Sequence, residues 1–343
     1  MGVFYLFASA PNAYALLFHA TNTGDWNQGT TWDQTSCSSS CTAGVDYPGS
    51  TDDAQLFSGS SVTVTVTATA NVTNISLLGD SLSINSGITL TASSSLTVTA
   101  SSTISVGSGT LSAASIDYLG SGTNVITVST GTITVSGNVG FSGTAANQQF
   151  TATGAATINI GGNFGSGGTL SSSTSTMVFN GSSAQTVGTY TTYNKVTMSN
   201  TSGGVTLTGT TTFGGNLLVT TGTFDIGAFT FTESGTTTVQ NGGTLKISST
   251  TGTKTFTGNV TINNGGTWNE TANEDIAYSG NLQNDGTFTA GTATHTFSGT
   301  TKTISGANTV SIPFVTINGT TNALTGAEDL TIIAGFFGDG VAG

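Results

Sequence analysis

Residues able to do acid–base, nucleophilic or metal chemistry are few in this chain of 343 residues: 16 Asp and Glu, 4 Lys without any Arg, 2 His and 2 Cys. The densest acidic cluster is Glu270, Glu274 and Asp275, within Asn269-Glu270-Thr271-Ala272-Asn273-Glu274-Asp275. A pair of carboxylates is what acid–base cleavage of a glycosidic bond requires. The small polar residues around this cluster read instead as a solvated loop at a chain corner. His295 lies between threonines and is expected as an exposed strand residue. No Ser-His-acid set emerges from spacing. Asp52 and Asp53 are adjacent, but the spaced oxygen ligands of a calcium loop do not accompany them. Cys37 and Cys41 enclose three serines, and a disulfide closing that loop suits an oxidising exterior. A metal site needs two further ligands, and His19 and His295 are distant in sequence. The chain therefore reads as non-enzymatic, with no catalytic residue, metal or cofactor.

Charge narrows the partners. The formal net charge is -12. Binding nucleic acid requires cations that displace counterions from phosphates, so nucleic acid is excluded as a partner. Phosphate ligands and anionic membrane surfaces are disfavoured for the same reason. Only 6% of residues are charged, yet 35% are hydrophobic and alternate with Thr and Ser, which argues for packed strands over disorder.

Those strands recur at a fixed period. Gly-Thr-apolar-x-apolar appears at Gly109, Gly131, Gly222, Gly243, Gly266 and Gly286, with neighbouring units 20 to 23 residues apart. A second unit, Gly-Asn-apolar, begins at Gly137, Gly162, Gly215, Gly258 and Gly280. Glycine and asparagine tolerate the left-handed backbone of a corner, which is the expected reason for both units. Such a period leaves room for about three short strands per repeat. It lacks the leucine-asparagine consensus of leucine-rich repeats and is about half a propeller blade. The expected fold is all-β: a right-handed, single-stranded parallel β-helix, or β-solenoid, of about 20–23 residues per coil with an N-terminal cap. The third position of the Gly-Thr unit holds Leu111, Ile133, Phe224, Leu245, Trp268 and Phe288, expected to pile up as one inward ladder, with the threonines before them facing out.

The predicted organisation is an apolar segment over 1–20, a cap over 21–58, the β-helix over 59–335 and a tail over 336–343. Within the first segment, Ala8-Ser9-Ala10 and Ala13-Tyr14-Ala15 resemble signal-peptidase sites, but a basic leader is missing. A secretion-signal remnant and a segment packing on a neighbouring subunit both stay open. Trp26, Trp32 and Tyr47 are expected to cover the first coil, the rival reading being a sugar-stacking platform. Thr-x-Thr runs raise ice binding. Against it, the fourth position of the Gly-Thr unit includes Asp225 and Lys246, which would spoil a flat face.

Two stretches carry a resemblance. One runs from Trp26 and Trp32 through Asp52-Asp53-Ala54 to Gly59-Ser60-Ser61-Val62-Thr63-Val64. The other joins Val178-Phe179-Asn180-Gly181-Ser182-Ser183-Ala184-Gln185-Thr186-Val187 to Val196-Thr197-Met198-Ser199-Asn200, with a weaker copy from Phe297 to Asn318 in which Lys302-Thr303 replaces Gln-Thr. These resemble units of large secreted β-helix surface proteins of the adhesin type, common among Bacteroidetes. The resemblance implies an extracellular or cell-surface role, structural or adhesive: a fibre or sheath subunit assembling head to tail with copies of itself, with surface glycans as further partners. The alternative is a carbohydrate-binding or polysaccharide-cleaving β-helix.

Overall fold

The computed structural model describes residues 16–33, 46–57 and 61–318, and the backbone of strands Leu324–Thr325 and Leu330–Gly338. Cys37, Cys41 and the two small-residue sites near the N-terminus lie outside the described residues. No α-helix occurs among the described residues; there are two single 3-10 turns, Gly29–Thr31 and Ala145–Asn147. The chain forms a parallel β-solenoid of about 13 turns over residues 53–318. At about 4.8 Å per turn the stack is about 60 Å long.

Each turn has three sides. One coil shows the order. Thr103–Val106 lies on the first face, and Thr110–Tyr118 bends through a register shift between Ala113 and Ser115 to supply the second and third. The second and third faces belong to one bent sheet that runs the length of the rod. The first face is built by two seven-stranded sheets, one ending at Thr169–Ser171 and the other starting at Thr211–Phe213. Between them a full strand is replaced by Tyr190 and Tyr193. Their rings bridge Phe164 to Phe213, and their hydroxyls donate to the Gly165 and Gly188 carbonyls. Stacking begins before the expected boundary at residue 59, because Leu17–Ala20 pairs in parallel with Asp53–Leu56, and Asp53–Leu56 with Asn74–Leu78.

Strands alternate buried and half-exposed residues, as in Thr63–Val66, where Val64 and Val66 are inside. That alternation is the period of two intrinsic to a pleated strand. Buried apolar residues therefore form vertical columns, each side chain contributing about 1.5–3 kcal/mol. The six residues expected in one ladder occupy two. Leu111 and Ile133 belong to a second-face column that continues through Ile158, Met177, Val196 and Leu217. Phe224, Leu245, Trp268 and Phe288 stack on the third face. Five of the six are fully buried, whereas Phe288 is half-buried, lying flat against Trp268 with ring centres 6.0 Å apart.

The same phase change affects both sequence units. In the first half of the rod Gly-Thr opens the second face and Gly-Asn the third; in the second half the assignments are exchanged. Both corners impose one requirement, which is why the two units look interchangeable. Coils pass so closely there that a Cβ on Gly131 would lie 2.3 Å from the Gly109 carbonyl oxygen, and one on Gly258 only 1.6 Å from that of Gly235. The left-handed backbone expected at these glycines is therefore not their main cause: of both sets, only Gly222 has a positive φ, +69°. The asparagines have a separate task. Asn138 accepts from the amide of Asn163, Asn259 from that of Asn281, and Asn281 from that of Thr303. Each side chain thus satisfies a corner amide one coil further on.

Gly258→Ala should therefore lower stability in urea or thermal melts by about 1–3 kcal/mol through overpacking. Gly107→Ala, where the nearest neighbour of a Cβ is 4.0 Å away, should stay within about 0.5 kcal/mol of the parent.

Candidate functional site: buried ionisable groups and the N-terminal cleft

Period-two alternation carries charged residues inward as readily as apolar ones. The first-face strands of the second half align Phe231-Thr232-Glu233, Lys254-Thr255-Phe256, Ile276-Ala277-Tyr278 and His295-Thr296-Phe297. Glu233, Lys254 and His295 thus hold inward positions, and each has no exposed surface. On the third face Glu270 is in register with Ile247, two residues past Trp268, and is also buried.

These groups pair internally. Lys254 Nζ contacts Glu274 Oε1 and donates to the carbonyls of Phe229, Thr251 and Gly252 at 2.7, 3.0 and 3.0 Å. Burial lowers the Lys254 pKa and raises that of Glu274, with each partner opposing the shift of the other. Glu270 Oε1 accepts from Trp268 Nε1 and lies 3.0 Å from His295 Nε2, while Oε2 accepts the Gly291 amide at 2.8 Å. Tyr278 lies over His295, ring centres 6.2 Å apart, and its hydroxyl pKa is raised well above the ordinary value by burial and by Glu270.

The reading of Glu270 and Glu274 as a solvated corner loop is therefore overturned, as is that of His295 as an exposed residue. Of the acidic trio only Asp275 faces solvent. The signal was present in the spacing: Lys254 stands two residues before Phe256, His295 two before Phe297, and Glu270 two after Trp268. A carboxylate beside an imidazole is an acid–base pair in type, but here both are buried and bonded to each other inside the stack. Removing one member of the buried Lys254–Glu274 ion pair would leave the other unpaired, at a cost of about 3–5 kcal/mol.

Glu233 differs. Neither of its carboxyl oxygens meets a partner in good hydrogen-bond geometry; its polar neighbours are the Thr237 hydroxyl and the Gly235 and Leu217 amides. Burial pushes its pKa up to about 7, with Thr237 and the Gly235 and Leu217 amides pulling weakly in the opposite direction.

The motif around Gln185 has a comparable internal role. The buried Gln185 amide accepts from the Gly181 N–H and from Asn200 Nδ2, and donates to the carbonyls of Ile160 and Gly162. This clasp ties the loop after Phe179 to the coils on either side. In the second copy the corresponding Lys302 is half-exposed and Asn318 exposed. The acidic pair is similarly engaged, with Asp52 accepting the amides of Leu16 and Gly49 and Asp53 those of Asn74.

At the N-terminal end the three aromatic residues separate. Trp26 and Trp32 are buried edge-to-face at 5.0 Å, and the Trp32 indole donates to the Trp26 carbonyl. Tyr47 is 46% exposed and, with Trp26, Asn27, Pro48 and Asn71, borders an open cleft of about 200 Å³. Among the described residues, no three His, Cys, Asp or Glu side chains are grouped to hold a metal. Compared with known proteins, the chain matches no family model, no curated protein and no solved structure.

Glu233 makes stability pH-dependent. Its folded pKa of about 7 lies above its ordinary value of 4.5, so the folded state holds a proton that the unfolded state has released between those values. This group's contribution to stability should be greatest below about pH 4.5 and fall by up to about 3 kcal/mol as pH rises to 7. In urea melts at pH 5 and pH 8, Glu233→Gln should flatten that part of the profile; an unchanged profile refutes the assignment.

Proposed function

We propose that the protein is an extracellular structural or adhesive rod, a surface spacer or fibre subunit that adds end to end. The observation that supports this best is the continuous parallel stack, in which the groups of greatest chemical potential are spent on holding coils together. Lys254, Glu274, Glu270, His295 and Gln185 all face inward and bond to neighbouring coils. A fold that fixes its reactive groups in this way is suited to transmitting length and load.

The two ends differ. Towards the N-terminus, Leu17–Ala20 is flanked by the antiparallel pair Trp32–Asp33, and the tryptophans cover the first coil. Towards the C-terminus, the Leu330–Gly338 strand pairs in parallel with Val310–Asn318. An open strand edge is a template for another chain, and a head-to-tail contact that does not close yields an open fibre. Negative-stain microscopy of concentrated protein should show linear assemblies longer than one rod. Isolated rods of about 60 Å at every concentration count against end-to-end growth.

A second reading rests on Tyr47. Its exposed ring and the amides of Asn27 and Asn71 beside it suit a neutral surface glycan, stacked on the ring and hydrogen-bonded at the rim. Screening on a polysaccharide panel should then give binding without sugar release, and Tyr47→Ala should abolish it. Release of sugar from any member of the panel would instead favour a polysaccharide-cleaving β-helix.

A further inference from the structure

We propose that the second face of the first half of the rod binds ice, an activity beyond the structural role and independent of it. Five successive coils present two outward residues each on this face. Strand register places Thr89, Thr110, Thr132, Thr157 and Thr176 in one column, with Thr91, Ser112, Thr134, Asn159 and Val178 beside it. The register shift after Ala113 falls outside the array. Nine of the ten positions carry a small polar side chain, and six of the ten are Thr-x-Thr or Thr-x-Ser members. Parallel strands set these groups on a grid of about 4.8 Å between coils and about 6.6 Å along each strand. Water oxygens in ice repeat on the same scale.

The array's hydrogen-bonding capacity is unspent. Its one internal side-chain bond joins Asn159 to Thr134 at 3.2 Å; the hydroxyls of Thr89, Thr91, Thr110, Ser112, Thr132, Thr157 and Thr176 make none. Threonines beside the corners behave differently, as Thr208 and Thr220 donate to the carbonyls of Val187 and Met198. Each free threonine offers a donor, an acceptor and a methyl group, which together anchor and order a water layer.

The surroundings favour water over other occupants. Residues 81–194 contain one charged side chain, Asp117, and it stands on the third face. No ion therefore lies within the five coils; the exposed Lys195, in register with Thr176 one coil further on, bounds the array on that side. Among the described residues, the exposed large apolar side chains are Leu17, Tyr47, Phe57 and Leu119, none of them in the array, so it offers no ring for a sugar to stack on. Covering the hydroxyls with a protein surface would desolvate them without compensating apolar burial. Asp225 and Lys246, whose charges spoil the pattern when the Gly-Thr units are aligned by sequence, lie on the third face of the other half.

The test uses the full chain in two assays, capture on a growing ice surface and thermal hysteresis with ice-crystal shaping. The parent should partition into ice and show hysteresis. Thr132→Tyr, and separately Thr134→Lys, should lose most of both, while circular dichroism stays at the parent level. Thr255→Tyr, an outward change on the first face of the second half, should retain both. Exclusion of the parent from ice overturns the proposal, as does equal loss in Thr255→Tyr. Fibre formation in microscopy is read separately, so failure of either proposal leaves the other standing.

Discussion

The interaction on which the structure depends is the in-register parallel pairing of each coil with the next. It satisfies the backbone of every strand and stacks like side chains above one another. Once one coil has placed a residue inside, its neighbours one period away are inside as well. The column Leu111, Ile133, Ile158, Met177 and Val196 varies in shape but keeps to large apolar groups for that reason. On the first face Phe256, Tyr278 and Phe297 stack in one column, and Phe231 of the neighbouring column links Phe256 to Phe213 by ring contacts. A rod built this way gains stability from nearest-neighbour contacts, with little need of surface ion pairs.

The corners are where that rule is hardest to satisfy. The chain must turn sharply, its amides leave the ladder, and successive coils nearly touch. Glycines permit the approach and asparagines replace the lost ladder bonds. A related solution is buried at the corner before the first face, where Asp80 accepts the Val62 amide, Asn124 accepts the Ser102 amide, and Asn124 bonds to Gln148. The Gln185–Asn200 clasp is a larger version of the same device. Polar residues that look decorative in a Ser- and Thr-rich sequence are thus the fittings between coils.

Charge is divided along the rod. The first half is nearly free of it and carries hydroxyl grids, while the second half takes Lys254, Glu274, Glu270 and His295 into its interior. Buried ion pairs contribute little net stability against well-packed apolar residues, but they penalise any register in which a partner is missing. In a repeat whose coils are otherwise interchangeable, a unique lysine opposite a unique glutamate gives these coils one matching alignment.

The sequence by itself determined the architecture. Its period, its alternation and its shortage of helix formers leave one way to bury the apolar residues, and Leu111, Ile133, Phe224, Leu245 and Trp268 are inside as period two requires. It also marked the corners, although it suggested backbone handedness where crowding is the main cause. Tertiary structure alone decided which face each repeat belongs to. The Gly-Thr unit at Gly131 and the one at Gly222 obey the same local rule, yet they open different faces: the second-face column runs unbroken from Ile133 to Leu217, and the unit at Gly222 opens the strand that follows it. That exchange separates Thr110 and Thr132 from Asp225 and Lys246, and only pairing between coils reveals it. Partnership was equally hidden: spacing could have turned Lys254, Glu270 and His295 inward, but which carboxylate meets which nitrogen depends on coils 20 to 25 residues apart lying one above another.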